Sequence, residues 1–212
     1  MKHLLLIAAA FLWILSATSC ATRLAGGPYT SPDGAFSCRL PTSPGGWAVQ
    51  RHSMPGAKGA AFLDDFDGTL YRVELIDTRL LPQSFHSQAR REQLMTTLER
   101  SVLPLIRSTS PAARMISQSY LPGLKGGTAY AVFDVPGGSA MAVRQGAGPA
   151  TRPDVIRNVM VFRTPRWLVV VSHVGEHLGS LIHPGSRPAA ASQAARDFPA
   201  LEGFARSVQV NE

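Results

Sequence analysis

Cysteine is almost absent from these 212 residues: there are two, Cys20 and Cys38. Neither a disulfide framework nor a four-cysteine zinc site can be built from such a pair, so the fold must rest on a buried apolar core. Lysine is scarce as well. Only three of the 21 basic residues are lysine, and the 18 arginines are scattered along the chain, which is not the clustered footprint of a nucleic-acid binder. No apolar run approaches the roughly 20 residues that a membrane-spanning helix requires. An internal repeat, a G-x-S-x-G nucleophile elbow, a P-loop and a dinucleotide-binding fingerprint are also lacking.

What is present begins with an address. Lys2 and His3 precede an apolar run from Leu4 to Leu15, and Ser16-Ala17-Thr18-Ser19 leads into Cys20. A basic start, a short apolar segment and a small-residue cleavage site make a secretory signal. Its end resembles the lipobox of bacterial lipoproteins, with Ala17 where Leu is more usual. That resemblance implies cleavage before Cys20, acylation of Cys20 (palmitate among the chains) and attachment to the lipid bilayer; an ordinary cleaved signal is the alternative. Several acyl chains, at about 0.8 kcal/mol per buried methylene, hold a protein more firmly than one. Ala21 resembles the sorting pattern of the Gram-negative outer membrane, which places the chain in the cell envelope facing the periplasm.

The expected organisation is a signal peptide over residues 1–19, the lipidated Cys20 with a tether to residue 32, and one domain over residues 33–212. Removing 19 of the 212 residues leaves 193, a length that suits a single core. A net charge of +7 favours anionic headgroups or cell-wall polymers through long-range attraction, or simply solvates an Arg-rich surface.

Along the domain, Phe36, Cys38 and Leu40 alternate as on a strand, with Cys38 a packed thiol or, alternatively, a reactive one. A second strand begins at Trp47. Ala60 to Leu63 and Thr69 to Ile76 flank Asp67-Gly68, the dipeptide of tight hairpin turns. Leu94, Leu98, Val102 and Ile106 recur every fourth residue and predict a helix over about 85–106, which Pro104 should kink or end. Two further strands follow between Tyr120 and Val135. Val159 to Phe162 and Trp167 to Val171 are apolar without alternation, so both of their faces are covered. A C-terminal helix is expected over about 192–208, with Pro199 as a possible break. Pro136 to Pro153 and Gly179 to Pro188 read as Gly- and Pro-rich loops.

The resulting class is α+β: a largely antiparallel central sheet flanked by a long helix and a C-terminal helix, an αβα sandwich. That order, with Ser31-Pro32-Asp33-Gly34-Ala35-Phe36 leading into Leu40-Pro41 and Trp47 soon after, is similar to the family that includes PsbP of the photosynthetic lumen and the Ran-binding Mog proteins. The resemblance implies a docking or accessory module with a protein, lipid or cell-wall partner. It carries over no catalytic residue; no cofactor is expected, and the scattered arginines do not point to nucleic acid.

Two motifs carry possible chemistry. His173-Val174-Gly175-Glu176-His177 matches the inverted zinc-peptidase pattern H-x-x-E-H, so a zinc-dependent hydrolase using His173, Glu176 and His177 is the alternative function. That chemistry needs both imidazoles on one helical face, whereas the motif follows a strand and contains Gly175; His183 or an acidic residue would be the third ligand. Asp64-Asp65-Phe66-Asp67-Gly68 resembles a calcium loop but puts Gly68 at position 4 and Ile76 at position 12, where the EF-hand needs Gly at 6 and Glu at 12. A solvated hairpin tip is the expectation there.

Overall fold

The computed structural model describes residues 22–139, 153–175 and 190–212. The signal segment with Cys20, the residues Glu176, His177 and His183, and most of the two Gly- and Pro-rich loops lie outside these. Eleven strands and two helical layers are described. Eight strands form one antiparallel sheet in the order β1 (Thr22–Leu24), β4 (Trp47–Met54), β5 (Ala57–Asp64), β6 (Leu70–Asp77), β10 (Trp167–Val174), β9 (Val155–Arg163), β8 (Thr128–Val135), β7 (Arg114–Leu121). A small sheet of β11 (Gln209–Val210), β3 (Phe36–Leu40) and β2 (Gly27–Thr30) stands beside it.

The unbroken apolar runs sit where physics requires them. All eight residues of β10 are buried, and β10 lies between β6 and β9 at the centre of the sheet with a layer on each face. One face packs against the C-terminal helix, whose Leu201, Phe204 and Ala205 meet Phe62, Tyr71, Val73 and Val171. The other takes Leu94, Leu98, Val102 and Ile106 against Ala131, Phe133, Val159 and Val170. Each such side chain contributes about 1.5–3 kcal/mol on burial. The architecture is the expected α+β sandwich.

Three local expectations are corrected. Residues 22–30, read as an aperiodic tether, are strands β1 and β2: Thr22 to Leu24 pair with Val49 to Trp47, and Tyr29 pairs with Cys38. Edge pairing accounts for this, since backbone hydrogen bonding needs no hydrophobic pattern.

The long helix does not start at Phe85. A single turn, α1 (Gln83–His86), is cut off by extended backbone at Ala89, and the rod then runs as α2 (Arg90–Thr97), a π-helical turn (Leu98–Val102) and α3 (Leu103–Thr109). The Gln93 side chain donates to the Gln88 carbonyl and so holds the break. Pro104 does not end the rod. The chain widens ahead of it, Leu103 N–H reaching back five residues to Leu98 C=O, which accommodates a residue that has no N–H to give.

The C-terminal helix, α4 (Ala190–Ser207), passes through Pro199 unbroken. Its apolar stripe lies against the sheet on both sides of the proline.

The turn chemistry is mostly as expected. Gly34 and Gly68 both adopt positive φ, 66° and 79°, which glycine reaches without steric cost. The β5–β6 connection is wider than a two-residue turn: Gly68 N–H bonds Asp64 C=O, and Asp64 N–H bonds Thr69 C=O. Trp47 explains its place after Leu40-Pro41, because its indole N–H donates to the Pro41 carbonyl at 2.8 Å.

Candidate functional site

The acidic hairpin tip uses its carboxylates internally. Asp64 accepts from Phe66 N–H at 2.7 Å, Asp67 accepts from Thr69 N–H at 2.8 Å, and Asp65 pairs with Arg23 at 3.0 Å. The first two are turn-building contacts, as the failed calcium match suggested, and the third ties the tip to β1. Cys38 is buried on β3, and burial pushes its thiol up to about 12, which keeps it protonated and unreactive.

His173 is the penultimate residue of β10, paired with Tyr71 on one side and Asn158 on the other. Strand geometry at His173 and Val174 removes the helical turn that H-x-x-E-H needs. Among the described residues no group of three His, Cys, Asp or Glu side chains is placed to hold a metal. Instead, His173 faces α4, its ring 4.7 Å from that of Tyr71. Asp197 of α4 comes to the same place, its carboxylate lying 3.2–3.4 Å from where a Cβ on Gly175 would stand. That approach gives Gly175 a structural reason.

Asn158, fully buried, accepts at Oδ1 a hydrogen bond of 2.7 Å from the Tyr130 hydroxyl. The hydroxyls of Tyr71 and Tyr130 are both pushed up to about 12, by burial first and then by the negative charge of Asp197. Both therefore remain hydrogen-bond donors at neutral pH.

Tyr130 joins this polar layer to a groove. Tyr130 stacks edge-on against Phe198 of α4 at 5.0 Å, and with Ile116, Ser117, Val132, Ala194 and Ala195 the two rings line a concavity of about 270 Å³ between the edge strand β7 and the helix. Ile116 sits in a β-bulge of β7 and is 42% exposed, one of three large apolar side chains so placed among the described residues. The lining is almost wholly apolar, with hydroxyls behind it. Such a wall suits recognition of an apolar group better than bond chemistry, which needs a nucleophile or acid aimed into the cavity.

The sequence reading missed this groove. Asp197 was the available signal: it falls on the same face of α4 as Ala194 and Leu201, a charge in an apolar stripe.

No protein-family profile matches the chain, and no curated protein does. Solved structures do. The Ran-binding protein Mog1p of Saccharomyces cerevisiae superposes with a TM-score of 0.52 at 14% identity, over 89% of this chain and 96% of that one. The fold is Mog1-like. A Mog1 point mutant matches equally, with a TM-score of 0.52 at 13% identity over 88% and 96% of the two chains. At this identity the likeness concerns architecture alone.

Proposed function

We propose that this protein is a non-catalytic binding module of the bacterial envelope, held to the bilayer by acylated Cys20 and docking an apolar element of a partner in the β7–α4 groove. The groove is the observation that carries the reading: an open, apolar concavity lined by exposed Ile116 and backed by the Tyr130–Asn158 hydrogen bond. The Mog1-like fold supports it, since Mog1p is itself named for binding a protein. The pairing of Thr22 with Val49 adds a geometric consequence, because an anchor two residues upstream would hold the β1–β4 edge close to the membrane. Arg23 and Arg51 lie at that edge and are exposed, which suits anionic headgroups.

Two measurements test the reading. Labelled palmitate should enter the wild-type protein and not Cys20→Ser; an unlabelled wild-type protein found wholly in the soluble fraction refutes the anchor. A photo-crosslinker placed at residue 116 should give one discrete protein adduct in intact cells, and one at exposed residue 206 should not. Equal, diffuse labelling at both positions refutes the groove.

A further inference from the structure

The opposite face of the sheet carries partly buried positive charge that the groove does not explain. Register places Arg72 and Glu74 on that face of β6, Ser172 beside Arg72 on β10, and Arg157 beside Val174 one strand further, on β9. On the near side, Gly59 of β5 stands between His52 and Glu74. A Cβ there would lie 2.7 Å from the Glu74 carboxylate and 2.8 Å from His52 Cε1, so glycine is what lets the two side chains meet, Nε2 to Oε2, at 2.5 Å.

The other Glu74 oxygen faces Arg72 Nε at 3.8 Å. Glu74, 2% exposed, is thereby engaged by His52 and Arg72. Among the described residues no hydrogen bond of Arg157 is seen. Its Nε is closed to solvent and has no hydrogen-bond partner. A buried charge is tolerated when it is paired and hydrogen-bonded. Burial first, and the charge of Arg72 second, pull the Arg157 guanidinium down to about 9. Both influences oppose the cation, and an anion at its fork would oppose both.

We propose that Arg157, with Arg72 beside it, binds the oxyanion group of a ligand on the sheet face between β6 and β9. The planar fork of an arginine matches two oxygens of a carboxylate or a phosphoryl group, whereas a spherical chloride offers no such geometry. Arg72 supplies a second positive charge, and Glu74, itself paired with His52, faces Arg72. This site is independent of the groove and of the lipid anchor.

The test uses the full-length protein in neutral detergent micelles, titrated with sodium acetate, inorganic phosphate or sodium chloride at matched ionic strength. Acetate or phosphate should raise the melting temperature saturably, and chloride should not. The two oxyanion arms separate a carboxylate source from a phosphoryl one. In the ¹H–¹⁵N spectrum, one arginine Nε–H peak, assigned by its loss in Arg157→Lys, should shift along the same titration curve. Arg157→Met should raise the half-saturating concentration about tenfold or more, the loss expected for one charge-assisted fork. Three results would overturn the proposal: equal responses to all three salts, an oxyanion response unchanged in Arg157→Met, or a stationary Arg157 peak. The last is read on wild-type protein and decides the matter even if Arg157→Met does not fold.

Discussion

Adding one methyl group at Gly59 should unfold more of this protein than its size suggests. The Cβ of Gly59→Ala would stand 2.2 Å from the Val73 carbonyl oxygen, 2.7 Å from the Glu74 carboxylate and 2.8 Å from His52. Contacts under 3 Å do not persist, and the nearest atom is backbone of the adjacent strand, so β6 must move away from β5. Overpacking of this kind costs about 1–3 kcal/mol. Displacing Glu74 from His52 leaves buried polar atoms unsatisfied, which adds about 1–3 kcal/mol. The expected loss is therefore about 2–6 kcal/mol, which at about 2–4 °C per kcal/mol for a chain of this length lowers Tm by roughly 4–24 °C.

Gly203→Ala is the matched control. Residue 203 is exposed inside α4, nothing lies within 4 Å of its would-be Cβ, and alanine should stabilise the helix by about 1 kcal/mol. Equilibrium urea unfolding followed by the fluorescence of buried Trp47 and Trp167 reads both changes. If Gly59→Ala costs less than about 0.5 kcal/mol while Gly203→Ala behaves as stated, the tight β5–β6 approach and the His52–Glu74 contact are wrong.

Three further outcomes are expected. Asp77 is held down to about 2, chiefly by the Arg79 side-chain hydrogen bonds, so its stabilisation is complete above the unfolded carboxylate range near 4 and is lost as pH falls from there to about 2. The drop in urea midpoint between pH 6 and pH 2.5 should accordingly be smaller in Asp77→Asn, and an identical drop would show that Asp77 does not contribute. Cys38 should react with a thiol reagent only after denaturation, because burial keeps its thiol protonated; rapid labelling of the native protein would contradict this. A chelator should leave the melting temperature unchanged, and His173→Ala should cost only its packing against Tyr71; stoichiometric zinc that disappears with His173 would instead restore the hydrolase reading.

Much of the fold was legible because its signals are local. The apolar runs at 159–162 and 167–171 had to be central strands, and the fourfold spacing from Leu94 to Ile106 had to be a helix, since each pattern suits only one way of burying its side chains. Boundaries were less legible where backbone contacts outweighed pattern, as in β1 and β2, or where a π-helical turn rescued Pro104.

By itself, then, the order of residues determined the class of fold and the two helical layers, because hydrophobic period and composition act over a few residues. Only the tertiary structure decided which distant groups meet. Tyr130 and Asn158 are 28 residues apart, and both stand far in sequence from Phe198. His52 reaches Glu74 across a glycine on an intervening strand, and Arg157 is set near Arg72 by a register no local pattern encodes. Strand order and register are set by the packing of the whole core, and a one-residue slip would send each of these side chains to the other face.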